Sequence, residues 1–289
     1  MRIPLPSVRS DFEGYDKLTM LASKLDQLAL EDIEIDMKST VWFDANMCAP
    51  LGAILYRASR GLNAISIADV SPDVEKILSK NTFLSTYGRM QVPDVYGTTI
   101  PYRRLEPKDD RYFGAYIAKH LVGKGIPTMS DGLRKKFRES IFEIFSNAVI
   151  HSQTRQGIYV CGQYFPRKHK LDFSIADLGI GMRENINKLG KLDLSAEKAI
   201  QWAVTGANTT KAGMVPGGLG LKLLREFITI NKGRIQIVSD RGFWEQNPGG
   251  ESTRPMRMPF PGTVVNLELN TADPNSYCLV SELTPDNVF

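Results

Sequence analysis

Apolar residues in the first hundred positions follow helical and strand-like spacings in turn. Between Leu18 and Leu28 a leucine recurs every three or four positions, which predicts an amphipathic helix over residues 15–28. Ile33 and Ile35 alternate with acidic residues, at the period of a half-buried strand. This region therefore predicts a compact α/β unit, with helices at 15–28, 47–59 and 71–86 and strands at 33–37, 41–43 and 64–68.

The second half of the chain alternates helices with pairs of strands. In its second predicted strand Leu171 and Phe173 point to one side and Asp172 to the other. The predicted helices are 131–152, 195–204 and 220–230, the predicted strands are 157–165, 170–177, 234–239 and 263–269, and the predicted loops are 205–219 and 240–262. This order predicts an α/β fold of the α+β type, a two-layer sandwich rather than a parallel doubly wound sheet.

A stretch rich in proline and glycine, 89–112, separates the two halves and marks the domain boundary. A linking helix is predicted within residues 113–126. We therefore expect an N-terminal α/β domain over 1–105, a linker over 106–129 and a C-terminal domain over 130–289.

The composition excludes several classes of protein. Of the 289 residues 42% are apolar and 24% charged, and the net charge of +4 is too mild to imply nucleic acid or an anionic membrane. No apolar run approaches the roughly 18 residues of a spanning helix, and no signal peptide is evident. The three cysteines and three histidines lack the spacing of disulfide or metal frameworks. We expect a reduced, cytoplasmic protein that binds neither nucleic acid nor membrane.

Three polar residues, Glu143, Asn147 and His151, follow one another at intervals of four on the predicted long helix. Residues four apart share a helix face. An amide oxygen is a hard ligand for Mg²⁺ and a carboxylate can orient a nucleophile, so the row fits a magnesium–nucleotide site. A solvated helix face is the alternative.

The segment 177–182, DLGIGM, ends a predicted strand. An aspartate at a strand exit can accept a hydrogen bond from an exocyclic amine, and Gly179 and Gly181 let the backbone approach a flat ring. An ordinary turn is the alternative. Farther along, PGGLGL at 216–221 opens a helix, where exposed amides and the helix dipole favour an anion. It is not a P-loop, because Leu219 stands where lysine would be needed.

Together these segments resemble a known family. FEIFSNAVIH at 142–151, DLGIGM at 177–182, GGLGLKLL at 217–224 and GTVVNLEL at 262–269 look like the N box, the two glycine boxes and the final Gly-Thr strand of the GHKL superfamily of ATPases and kinases, in family order. The resemblance covers roughly residues 130–270. It implies ATP and Mg²⁺ as cofactors and a two-layer α/β sandwich with an ATP lid over 205–219.

The resemblance also implies roles for single residues. Asp177 would accept from the adenine amino group, with Thr263 joining through water, and Asn147 would be the metal ligand. Lid amides of Gly218 and Gly220 would contact the phosphates. The nucleotide-binding set implied in this way is Asn147, Asp177, Gly179, Gly181, Met182, Gly217, Gly218, Leu219, Gly220, Leu221 and Thr263.

Glu143 occupies the place where anti-sigma-factor serine kinases and ATPases of this superfamily carry their general base, and sensor histidine kinases typically lack an acid there. His151 also fits the anti-sigma pattern, with its role left open. His120 is the only candidate phosphoacceptor upstream of the N box, and it lacks the acidic follower of such a helix.

The N-terminal unit is similar to a STAS-like domain, the fold of anti-sigma-factor antagonists, through VWFDANMCAPLGAIL at 41–55 and the later SPDVEKIL helix. It departs from that family after Asp44, where no serine or threonine follows as phosphate acceptor. A small α/β dimerisation module is the alternative.

Two functions therefore remain open. The first is a Mg-ATP-dependent serine/threonine kinase of the anti-sigma type, acting on a STAS-like or sigma-regulator partner. The second is an ATP-gated interaction switch with slow hydrolysis and no phosphotransfer. Related kinases often pair, which leaves a homodimer open. The loop 240–262, with Phe243 and Trp244 beside two arginines, is either a packed surface loop or a partner-docking segment.

Overall fold

The computed structural model describes residues 1–150, 152, 154–190, 192–205 and 219–283, with the backbone alone described at Leu189 and Leu219. The fold of these residues is mixed α/β with several sheets, as the sequence predicts. Its helices are α1 Phe12–Leu25, α2 Cys48–Arg60, α3 Pro72–Lys80, α4 Asp110–His120, α5 Asp131–Ile150, α6 Gly181–Gly190, α7 Ala196–Val204 and α8 Leu219–Asn231.

The strands form three sheets within the same residues. They are β1 Arg2–Pro4, β2 Asp32–Asp36, β3 Ala64–Ala68, β4 Thr99–Leu105, β5 Thr128–Met129, β6 Ile158–Phe165, β7 Lys170–Asp177, β8 Arg234–Asn247, β9 Gly250–Asn270 and β10 Ser276–Tyr277. A parallel sheet has the order β1-β2-β3, a second parallel pair joins β10 to β5, and an antiparallel sheet has the order β4-β6-β7-β9-β8.

The five-stranded sheet is covered on both faces. Alternate residues of its central strands point to opposite sides. On one side Tyr159, Ala176 and Val264 pack in a core shared with α1 and α2 of the N-terminal unit. On the other side Phe173 and Ile175 pack against helices that include α4, α5 and α8. The sheet therefore lies between the N-terminal unit and the layer of helices, and both pack against it.

A buried polar cluster also joins the N-terminal unit to the sheet. The side-chain nitrogen of Asn46 lies 3.0 Å from Ser10 Oγ, 3.1 Å from Ser174 Oγ and 2.9 Å from Asn266 Oδ1, and shares its two hydrogens among these acceptors. All four residues are buried. Because an unmatched buried polar group costs about 1–3 kcal/mol, this network favours one relative position of the two units.

The segment 240–262 is not a loop, and that prediction is wrong. It forms the outer part of a long β8–β9 hairpin in which Phe243 and Trp244 are buried. Phe243 packs edge-on against Phe12 of α1, with ring centroids 5.4 Å apart. The hairpin therefore contacts the N-terminal unit of its own chain, where Arg257 also pairs with the buried carboxylate of Asp16.

Other differences concern short elements. Residues 41–43 form no strand, since only an isolated bridge joins Val8 to Phe43. The sequence patterns missed β1 and α6, and β4 joins the large sheet although residues 99–105 were assigned to the first domain. No helix in the described ranges is both long enough and apolar enough to cross a membrane.

The region expected to be a linker contributes to the core. Phe113 of α4 is fully buried and stacks on Phe145 of α5, with ring centroids 4.5 Å apart and planes 13° apart. Residues 110–120 are therefore one wall of the helical layer rather than a solvated connection.

Phe113→Ala is expected to lower the free energy of unfolding by about 3–5 kcal/mol, because it removes a buried ring and leaves a cavity. Tyr112→Ala is the matched control, since the neighbouring ring is 51% exposed, and its effect should stay within about 0.5 kcal/mol. Urea unfolding measures both. Equal losses in the two variants would contradict a core position for α4.

Candidate functional site

The long helix α5 presents two polar side chains toward one region. Glu143 and Asn147 are four residues apart and share a face. The amide oxygen Oδ1 of Asn147 is buried and has no hydrogen-bond donor among the residues that the structure describes. A buried acceptor without a donor is costly unless a ligand satisfies it. The Oδ1 atom of Asn147 could therefore bind a cation or accept a hydrogen bond from a ligand.

Asp177 ends β7 on the side of the sheet that faces α5. Leu171, Phe173 and Ile175 lie in the helical core, and Asp177 continues their alternation. Its carboxylate accepts the Gly179 amide N–H at 2.7 Å. Burial raises the pKa of Asp177 from 3.8 to about 7, although the hydrogen bond from Gly179 opposes the change.

Ser152 connects the end of α5 to the loop that follows Asp177. Its hydroxyl donates to the carbonyl of Ala148, and its own carbonyl accepts the Ile180 amide at 2.9 Å. A Cβ at Gly179 would lie 2.1 Å from the Ser152 carbonyl oxygen, so only glycine allows this approach. These contacts bring the end of the helix that carries Asn147 against the loop that begins at Asp177.

Hydroxyl groups line the same end of the sheet. Thr263 lies opposite Asp177 in the β7–β9 ladder, and its hydroxyl is 3.0 Å from that of Ser239. Ser239 also accepts the Met182 amide at 2.9 Å and donates to the Gly262 carbonyl at 3.1 Å. The Met182 backbone and Thr263 thus both bond to Ser239, at the end of the sheet that carries Asp177.

Two glycines allow the backbone to pack closely at this end of the sheet. Gly181 begins α6 with a φ of 77°, a backbone conformation that favours glycine. Gly262 has a φ of 152°, and a Cβ there would lie 2.0 Å from the carbonyl oxygen of Asp177. The sequence singled out Gly181 as a place where the backbone could approach a flat ring, and Gly262 is a further glycine, in the neighbouring strand, that packs against the backbone of Asp177.

Glu143 contacts the first turn of α8. Its Oε2 accepts the Gly220 amide N–H at 2.9 Å, and a Cβ at Gly220 would lie 2.4 Å from that oxygen. Leu221 packs, partly buried, against the helical core. The carboxylate expected to act as a base therefore lies at the N-terminal end of the helix that follows the predicted lid, where the helix dipole favours negative charge.

Part of the predicted site lies outside the described residues. This is true of Gly217, Gly218 and His151, and of residues 206–218 of the predicted lid. Leu219 begins α8, with the backbone alone described. The contacts above join Asp177, Gly179, Gly181, Met182 and Thr263 at one end of the sheet and link Glu143 to Gly220. Asn147 lies on the helix whose end contacts this loop, and no hydrogen bond joins its side chain to these residues in the described part of the chain.

Sequence reasoning missed Ser152 and Ser239. Ser239 could have been found, because the antiparallel pairing of the two predicted strands 234–239 and 263–269 sets it opposite Thr263. Ser152 carries no such signal, since its contact with Gly179 depends on the path of the chain after α5.

His120, the candidate phosphoacceptor, ends α4 with its ring centroid 4.9 Å from that of Tyr116. Burial lowers its pKa from 6.5 to about 4, and the neighbouring Lys119 and Lys124 act in the same direction. The imidazole therefore belongs to the packing of α4 in this structure.

The site suits a metal ion that binds as a complex with a ligand, rather than one held by protein side chains alone. Within the described ranges no three His, Cys, Asp or Glu side chains come close enough to hold a metal ion. Mg²⁺ is commonly held by one or two protein oxygens together with waters and the phosphates of its nucleotide. The single orphan oxygen of Asn147 suits that arrangement.

A scan against protein-family models finds no match for this chain, and a search of curated proteins finds none either.

Asp177→Asn is expected to change how stability depends on pH. Between about pH 4 and pH 7 the native carboxyl holds a proton that the unfolded chain releases, so its contribution to stability is full below about pH 4 and is lost as pH rises toward 7. A rise from 3.8 to about 7 corresponds to roughly 4 kcal/mol at about 1.4 kcal/mol per pH unit.

Because asparagine does not titrate, the variant should gain up to roughly 4 kcal/mol over the wild type between pH 4 and pH 8. Urea unfolding of both proteins across this range measures the difference. A difference that stays constant with pH would show that Asp177 ionises normally in the folded chain.

Proposed function

We propose that this chain is an ATP-binding regulatory protein of the GHKL type and acts as a Mg-ATP-dependent serine/threonine kinase on a protein partner. The observation that carries the proposal is the buried Oδ1 of Asn147, which has no hydrogen-bond partner among the described residues and lies on a helix whose end contacts the loop after Asp177. Residues 142–151, 177–182 and 262–269 supply the family pattern around it.

In this proposal each side of the pocket has one task. The Asp177 carboxylate accepts from the exocyclic amine of adenine. Gly179 allows the contact with Ser152 that fixes the loop beside the carboxylate, and Gly181 supplies the positive φ at the start of α6. Thr263 adds a hydroxyl at the same edge. Asn147 holds the magnesium ion through its amide oxygen.

Glu143 is the proposed general base, taking the proton from the acceptor hydroxyl of the partner. Bound Mg-ATP supplies the transferable phosphoryl group and the neutralising charge. The hydrogen bond from the Gly220 amide keeps the Glu143 carboxylate near the start of α8, so phosphotransfer requires that Glu143 exchange this contact for the hydroxyl.

The same hydrogen bond favours a second candidate function. A carboxylate that caps α8 couples the N box to the helix after the lid, so nucleotide binding would shift α8 and the lid without any transfer step. Such a protein is an ATP-gated interaction switch with slow hydrolysis.

The N-terminal unit belongs to the proposal as a STAS-like domain that recognises the regulatory partner. A partner of the sigma-regulator type follows from the resemblance, a cytoplasmic location is part of the proposal, and a homodimer is compatible with both functions. The buried cluster around Asn46 supports coupling between this unit and strands β7 and β9.

Asp177→Asn is expected to weaken ATP binding roughly 10- to 100-fold, because a hydrogen bond to a charged acceptor contributes ~1.5–3 kcal/mol. Asp172→Asn is the matched control. Asp172 is on the same strand, and burial raises its pKa to about 7 as well, but it faces the N-terminal unit. Calorimetric titration at pH 8 compares the variants.

The control should bind ATP like the wild type. Equal weakening in both variants would mean that loss of a buried charge, rather than loss of an adenine contact, sets the affinity. Full affinity in Asp177→Asn would refute the assignment of this pocket to adenine.

Labelled ATP separates the two candidate functions. The kinase should place stoichiometric phosphate on a co-incubated partner, and Glu143→Gln should abolish the transfer while retaining ATP binding. Release of free phosphate, with no labelled protein, would favour the switch and contradict the kinase.

A further inference from the structure

A second concave site lies between the N-terminal unit and the edge strand of the large sheet. It has a cavity volume of about 610 Å³ and is bounded by α2, by the residues after α3 and by β4. Ligand sites of small molecules commonly span roughly 300–1,000 Å³. Its lining includes two arginines, three tyrosines and several hydroxyl groups, and no acidic residue.

One of the arginines, Arg104, is held in place by uncharged groups. Its guanidinium stacks on Tyr56, 4.1 Å from the ring centroid, and donates to the Tyr56 hydroxyl at 3.0 Å. A further bond runs to the carbonyl of Gln156 at 3.1 Å. The side chain is therefore oriented by uncharged groups, and no carboxylate of the described residues pairs with it.

The other arginine, Arg103, is held in the same manner. It donates to the Thr82 hydroxyl at 2.8 Å and to the Tyr102 carbonyl at 2.7 Å. Neither arginine forms an ion pair with any carboxylate in the described part of the chain. Two fixed guanidinium groups without a counter-ion suit carboxylate or phosphate, which they can bind through paired hydrogen bonds.

The tyrosines supply flat ring surfaces and uncharged hydrogen-bond donors. Tyr56, Tyr87 and Tyr102 all line the cavity. Burial raises the pKa of Tyr87 and of Tyr102, so both hydroxyls keep their protons. Gly52 leaves room for one of the rings, because a Cβ there would lie 2.3 Å from the Tyr102 hydroxyl oxygen.

This cavity is separate from the Asp177 pocket and close to it. Arg104 pairs with Tyr159 in β6, and Tyr159 pairs with Ala176, the neighbour of Asp177, in β7. Two strand spacings, about 10 Å, separate β4 from β7. Tyr159 and Ala176 face the N-terminal unit, whereas Asp177 faces the helices.

We propose that the cavity around Arg103 and Arg104 binds a small organic anion that carries a planar ring and a phosphate or carboxylate group. The guanidinium groups bind the phosphate or carboxylate group, and the tyrosine rings contact the planar ring of the ligand. The site is independent of the proposed ATP pocket. It lies where the N-terminal unit meets the edge strand of the five-stranded sheet.

Calorimetric titration of the full chain with phenyl phosphate, in EDTA, tests the proposal. Benzoate as a second probe distinguishes a carboxylate from a phosphate preference, while phenol and inorganic phosphate supply the ring and the charge separately. Phenyl phosphate or benzoate should bind more tightly than either fragment, and should still bind to Asp177→Asn.

Arg104→Gln and Arg103→Gln should each weaken the preferred probe at least about 10-fold, since a charged hydrogen bond is lost. Arg104 is exposed, so its variant should fold normally. Arg111→Gln is the matched control, because Arg111 is exposed on α4 and does not line the cavity, and it should bind like the wild type.

Two results would overturn the proposal. The first is no binding of either ring-bearing anion by the wild type. The second is binding that survives in both cavity variants but disappears in Asp177→Asn, which would assign the probe to the other pocket. ATP binding by the cavity variants, measured alongside, separates failure of this site from failure of the proposed function.

Discussion

The burial of one carboxylate, Asp177, at the end of a central strand is the constraint on which the site depends. A charge in that position is costly, and the rise of its pKa to about 7 reflects the cost. The chain keeps the group there through backbone geometry: Gly179 donates to it, Gly262 passes beside it, and Ser152 fixes the loop. Under the proposed function, the adenine amine adds a hydrogen bond to this carboxylate, and the magnesium ion binds the acceptor oxygen of Asn147.

The two-sided sheet explains how distant parts of the chain can affect this pocket. Strand β7 carries Asp177 on the helical side and Ser174 on the side of the N-terminal unit, where Asn46 bonds to it. The β8–β9 hairpin extends past the sheet and contacts α1 through Phe243. A partner or ligand that moved the N-terminal unit would therefore act, through these packed contacts, on the strands that carry Asp177 and Thr263.

Regular periodicity predicted the helix α5 and strands β6 and β7 to within two residues. Composition misled at 240–262, where glycine and proline indicate a loop. Among the described residues, that part of β9 pairs only with β8. Its other edge forms no ladder within the same residues, so a proline whose missing N–H would face that edge breaks no hydrogen bond. The role of α4 was missed because the burial of Phe113 depends on Phe145, a tertiary contact that no local pattern encodes. Ser152 was missed for the same reason, because its contact with Gly179 is also a tertiary contact.

The most direct measurement of the central claim is a crystal structure of the full chain with Mg²⁺ and a non-hydrolysable ATP analogue. The account predicts the adenine amine on the Asp177 carboxylate and the magnesium ion on Oδ1 of Asn147. A nucleotide bound elsewhere, or one bound here with Asp177 turned away from the base, would contradict it.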